Sequence, residues 1–112
     1  MGLTEKAAQE QGYDVDTRIL DLEKVSRARI AFETEGLVKI VAERKSGRIL
    51  GIYVLMPYGG EAIHKAALLM KFSLKVSDVI SMVDAYPKFS EAIKLCCQSF
   101  IKDVSKLSRC AE

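Results

Sequence analysis

Polar and apolar positions change period several times along this chain, and each change marks a boundary between elements. Thr4 precedes Glu5-Lys6-Ala7-Ala8-Gln9-Glu10-Gln11, a short helix-forming run that Gly12 ends, so Thr4 is the expected N-cap and Gly12 the expected stop. Val15, Thr17 and Ile19 then alternate with Asp14, Asp16 and Arg18, which predicts a strand with one wet face. Over residues 27–32 the alternation returns, with Ala28, Ile30 and Phe32 on one side. It predicts a second strand, closed by a turn at Glu33-Thr34-Glu35-Gly36.

Two further apolar runs, residues 37–43 and 49–56, flank the polar, glycine-bearing turn Arg44-Lys45-Ser46-Gly47-Arg48 and predict a hairpin. The second run is apolar on both faces, so it needs cover twice, from its own helices and from a further subunit or domain. Pro57-Tyr58-Gly59-Gly60 breaks the strand. Ile63, Ala66, Ala67 and Met70 then recur at helical spacing between Glu61 and Phe72, and a shorter helix follows over 76–83. Beyond Pro87, Phe89, Ile93, Cys96, Phe100 and Val104 trace a stripe down a last helix. Strands early and helices late predict an α+β domain, an antiparallel β-sheet with helices packed on one face, over residues 1–105, with a loose tail at 106–112.

Composition narrows the function. With 112 residues and 49% hydrophobic content the chain is one domain with a core of its own. Its net charge of +2 is spread without a basic block, which argues against nucleic acid as a partner. No run is long and apolar enough to cross a bilayer and the first residues lack a signal-peptide core, so no membrane partner and a cytoplasmic location are expected. Three cysteines, Cys96, Cys97 and Cys110, without a C-x-x-C pair, agree with a reducing compartment.

Most candidate chemistry is outweighed by plainer readings. Gly59-Gly60 lacks the rest of any phosphate-binding motif and reads as a strand-to-helix turn. His64 is the only histidine, which leaves no multi-histidine metal site. Cys96 and Cys97 point about 100° apart on a helix and read as core filler. Cys110, beside Arg109, is the thiol best placed to bind a soft metal. The stretch Tyr86-Pro87-Lys88-Phe89-Ser90-Glu91 sets a phenol and a rigid turn just before the last helix, with Glu91 in its first turn. From the residues alone it reads as a helix start more readily than as a reactive site.

Taken together, these features resemble the C-terminal dimerisation domain of the pyridine nucleotide-disulfide oxidoreductases, and within that family the mercuric reductases. The resemblance rests on Leu3-Thr4-Glu5 with Ala7-Ala8, Arg27-Ala28, Gly36-Leu37-Val38-Lys39, residues 46–51, Gly60-Glu61-Ala62-Ile63 with Ala66-Ala67, and the run Lys102-Asp103-Val104-Ser105-Lys106-Leu107-Ser108. It implies a homodimer in which this domain completes the partner subunit's active site. In the wider family a histidine stands where Tyr86 stands, followed by proline and, four residues after it, an orienting glutamate. Tyr86-Pro87 and Glu91 keep that spacing and lose the imidazole, which argues against glutathione or dihydrolipoamide as substrate.

The resemblance therefore implies catalytic roles for Tyr86 and Glu91 and contact of Tyr86 and Pro87 with the cofactor. It also implies a metal-binding role for Cys110, FAD and NADPH held by other domains of a longer parent, and Hg(II) as the substrate that the parent reduces. The tail Ser108-Arg109-Cys110-Ala111-Glu112 departs from the family's Ser-Cys-Cys-Ala-Gly, since its first thiol is missing. Alone, the chain is expected to be inactive. Two alternatives are a free-standing dimerisation module and a parent acting on another disulfide, such as coenzyme A disulfide.

Overall fold

The computed structural model describes residues 1–83 and 88–101. In order they form α1 (Glu5–Glu10), β1 (Val15–Asp21), a single 3-10 turn (Leu22–Lys24), α2 (Ser26–Ala31), β2 (Leu37–Glu43), β3 (Ile49–Leu55), α3 (Gly59–Lys71), α4 (Val76–Ser81) and α5 (Glu91–Gln98). The strands make an antiparallel sheet in the order β1-β2-β3, with Arg18 opposite Ile40 and Ile40 opposite Ile52. This is the expected α+β architecture. Tyr86, Pro87, Cys110 and the tail at 106–112 lie outside the described residues.

The core follows from the period-two alternation of the strands. Val38, Ile40, Ala42 and Ile52 point to the helical side, where they meet Ala62, Ala66 and Leu69 of α3, Val76 and Val79 of α4, and the apolar residues of α5. All eight residues of α5 are buried, which is how a helix behaves when it is packed on every side rather than along one stripe. It lies against β1, β2 and α4. Truncating Ile93 or Leu95, both fully buried, to alanine is expected to cost about 3 kcal/mol.

On the opposite side of the sheet a smaller cluster joins Ala8, Val15, Val41 and Leu50, with Leu3 and Tyr13 against it. The second face of β3 therefore finds its cover inside this chain. Residues 1–3 run along the outer edge of β3: Met1 and Ile52 exchange backbone hydrogen bonds, and the Leu3 amide donates to the Leu50 carbonyl. The two segments cross at Gly2 and Gly51. A Cβ on Gly51 would stand 2.1 Å from the Leu3 carbonyl oxygen, and one on Gly2 2.4 Å from that of Leu50, so the close approach needs glycine on both sides. The Tyr53 hydroxyl donates to the Gly2 carbonyl and fastens the segment.

Thr4 caps α1 as expected, its hydroxyl accepting from the Ala7 amide. The hairpin also forms where the pattern placed it. Residues 27–32, expected as a strand, fall instead in α2 and its cap. Six residues with apolar side chains at every second place fit one helical turn and a half as well as they fit a strand, and only Ala28 becomes buried. Phe32 ends α2 in the left-handed conformation, φ 57°, and the Glu33 amide reaches back to the Ala28 carbonyl, a Schellman-type stop filled without glycine.

The faces of β1 also differ from the expectation. Val15 is buried on one side and Leu20 on the other, while Ile19 remains 58% exposed. Arg18, expected on the wet face, reaches toward the helices, donating from Nε to the Ser99 carbonyl and lying over the Phe100 ring. In α3 the buried positions are Ala62, Ala66 and Leu69, so the inward stripe starts one residue before the expected one.

Candidate functional site at the head of the last helix

The site sits where β3 gives way to α3 and where α5 begins. Phe89 is buried in the core, and it is this anchor that holds the start of α5. Its ring packs at 5.4 Å, tilted by 46°, against Tyr58, whose left-handed backbone, φ 60°, turns the chain from β3 into α3. The Arg27 guanidinium of α2 lies 6.0 Å from the centre of the same ring, within the range of a cation–π attraction. Around these groups opens a cleft of about 330 Å³ lined by Arg27, Tyr58, Glu61, Lys88, Phe89 and Ser90. Aromatic groups thus form part of the wall, while two cations and a carboxylate also line it.

Glu91 occupies the first turn of α5, as expected, but it is 1% exposed. A carboxylate there faces the positive end of the helix dipole and is withdrawn from water, which suits a group that orients a neighbour rather than one that meets solvent. One turn further on, Lys94 is also buried, and its Nζ donates to the backbone carbonyl of Met82 at the end of α4.

Thiol chemistry is absent from the core positions. Cys96 and Cys97 are fully buried, and burial pushes the Cys96 thiol up to about 12, despite lowering contributions from hydrogen bonds and from the Arg18 guanidinium. Its Sγ faces the carbonyls of Arg18 and Val38 at 3.5 and 3.6 Å. A thiol held neutral in this way is neither nucleophile nor metal ligand at physiological pH. Among the described residues no group of three or more His, Cys, Asp or Glu side chains is placed to hold a metal ion. His64 lies exposed on α3, and Gly59-Gly60 form that helix's first turn.

The described residues do not fit a whole flavin or nicotinamide dinucleotide. The sequence holds no glycine-rich dinucleotide fingerprint, and the clefts at 440, 330 and 230 Å³ belong with the smaller end of ligand pockets. Of the residues given a catalytic, cofactor or metal role from the family resemblance, Glu91 alone lies among the described residues. Arg27, Tyr58 and Lys94 were not legible as site residues: Arg27 sat in an expected strand, and nothing local says that a lysine six residues after Lys88 turns inward.

A three-stranded antiparallel sheet with α3, α4 and α5 packed on one face, α1 on the other, and a polar cleft where α3 and α5 begin defines the class of domain. The fold matches the HOCl-induced flavoprotein disulfide reductase RclA from Escherichia coli with a TM-score of 0.82 at 29% identity, over 90% of this chain and 23% of that one. It also matches LpdA from Mycobacterium tuberculosis with a TM-score of 0.81 at 22% identity, covering 91% of this chain and 22% of that one, a likeness of fold. Residues 1–96 match the pyridine nucleotide-disulphide oxidoreductase dimerisation domain, and the chain belongs to that family. Curated relatives named mercuric reductase are similar along nearly the whole chain. The Shewanella putrefaciens protein is 41% identical and the Bacillus cereus protein 43%, each over 99% of this chain and over 20% and 18% of their own lengths. The chain thus spans about one fifth of the length of these relatives.

Proposed function

We propose that this domain serves a longer, homodimeric flavoenzyme that reduces Hg(II) with NADPH, and that it completes the active site of the partner subunit. The supporting observation is the head of α5, where core-anchored Phe89 and buried Glu91 follow Tyr86-Pro87 in sequence. In this reading Tyr86 and Pro87 cover the cofactor held by the partner, and Glu91 fixes the direction from which the Tyr86 phenol approaches. FAD and NADPH, bound by other domains, supply the electrons when present. A phenol, with an ordinary pKa of about 10, stays protonated near pH 7 and offers an oxygen to a metal rather than acting as a base. Cys110 contributes one thiolate to the passage of the metal. A cytoplasmic location agrees with there being, among the described residues, no helix long and apolar enough to cross a membrane.

The test is mercury-dependent NADPH oxidation by the purified parent protein. Turnover that depends on Hg(II), and that falls when Tyr86→Phe is introduced, supports the reading. A parent that reduces a disulfide at full rate and ignores Hg(II) overturns the metal part of it. That outcome is the second reading, favoured by the missing first thiol of the tail and by the likeness to a disulfide reductase at 29% identity.

A further inference from the structure

A guanidinium that is partly withdrawn from water ordinarily finds acceptors for its five N–H groups. Arg18 binds Asp16 and the Ser99 carbonyl, Arg44 binds Asp14 and the Val15 carbonyl, and Arg48 donates to the Tyr13 hydroxyl. Arg27 differs. It is half-buried, yet among the described residues nothing accepts a hydrogen bond from it or pairs with its charge; its contact is with the Phe89 ring. Because Phe89 is anchored in the core, that contact holds the planar fork in place with its donors unspent.

The unspent donors lie on a cleft of about 330 Å³ whose other polar groups are in the same state. Lys88 and Ser90 line it from either side of Phe89, and neither side chain has a partner among the described residues. Ser90 stands at the N-cap of α5, but its hydroxyl makes no capping bond. Tyr58 adds a second aromatic surface and Glu61 the single carboxylate. Two cations against one carboxylate leave one positive charge, which suits a monoanion better than a dianion. The volume suits a single ring with its substituent and is too small for a dinucleotide.

We propose that this cleft binds a small organic carboxylate with an apolar or aromatic body. The Arg27 fork takes both carboxylate oxygens, Lys88 and the Ser90 hydroxyl close on the same group, and the body lies against the rings of Tyr58 and Phe89. The site draws on none of the roles proposed above for Tyr86, Pro87 or Cys110.

The experiment treats the full-length parent with phenylglyoxal, which modifies accessible guanidinium groups, and follows the adduct at Arg27 by peptide mass spectrometry. Benzoate, its neutral counterpart benzamide, and inorganic phosphate are the probes. At ten times its half-protecting concentration benzoate is expected to slow modification of Arg27 about tenfold, with Arg29 unaffected. Benzamide is expected to give no protection and phosphate less than benzoate. In Lys88→Glu, at an exposed position, Arg27 is expected to react with or without benzoate. Equal rates at Arg27 with and without benzoate in the unaltered parent overturn the site. Protection by benzamide equal to that by benzoate overturns recognition of the carboxylate, and equal protection by phosphate overturns the preference for a monoanion with an apolar body. An Arg27 that resists the reagent before any anion is added, and reacts in Lys88→Glu, overturns a free ligand and assigns the cleft to a carboxylate of the parent itself. Resistance in both proteins overturns the proposal outright, because the guanidinium is then closed to the cleft.

Discussion

Two side chains in this domain hold chemistry in check by burial alone. Cys96 is raised from 9.0 to about 12 chiefly by desolvation. Its neutral form is therefore favoured in the folded state, and the sign of the linkage follows. Its contribution to stability is present in full below pH 9 and is lost as pH climbs toward 12, because the unfolded chain gives up this proton first. The unfolding midpoint is expected to fall with pH above 9, and Cys96→Ala, though less stable throughout, is expected to show a shallower fall in that window. Alkylation at pH 7.5 is expected to spare Cys96 and Cys97 in the folded domain and to reach them only in denaturant; modification of either at native rates would contradict the burial.

Phe32 is the converse case, a side chain 93% exposed that holds a left-handed backbone at φ 57°. Glycine adopts that conformation without the Cβ penalty. Phe32→Gly is expected to stabilise the domain by about 1 kcal/mol in urea unfolding.

At the level of elements, legibility followed the length and regularity of the pattern. β2 and β3 are two apolar runs flanking a polar turn with a single glycine, so both strands and their pairing could be read from local residues. α2 could not, because a six-residue run does not separate a period of 2 from one of 3.6, and only its packing of Ala28 against the core decides. The inward stripe of α3 was misplaced by one residue because Ala62 and Ala66 are small, and small residues carry little pattern although they are what lets a helix come close. The candidate site was legible only through family likeness at Tyr86 and Glu91. The cleft beside it is built by Arg27, Tyr58 and Phe89, which contacts between elements distant in sequence bring together. The edge segment offers a sharp test at this scale. Gly51→Ala drives a methyl into the Leu3 carbonyl, and the expected loss is about 2 kcal/mol, with faster amide exchange at residues 1–3 and Ile52.

For the molecule as a whole, the outward face of α3 offers one exposed apolar pair at which pairing with a second copy can be tested. Leu68 and Phe72, one turn apart, are 59% and 65% exposed. Like residues across a two-fold axis can meet there. Leu68→Glu with Phe72→Glu in the full-length parent is expected to give a monomer by light scattering. A dimer that persists in this double variant would place the seam elsewhere.

The burial of α5 on every side has a consequence for how the chain is made. This helix, the last of the described elements, is also the one on which β1, β2 and α4 close; Arg18 and Ser99, 81 positions apart, are joined through it. During synthesis the strands emerge first, with Leu20, Val38 and Ile40 open to water until residue 98 has cleared the ribosome. A nascent chain arrested before Glu91 therefore has α1, α3 and α4 but lacks the helix that packs on β1 and β2. Such a chain is expected to bind holding chaperones in a ribosome-arrest pull-down, and to be released once this helix has emerged.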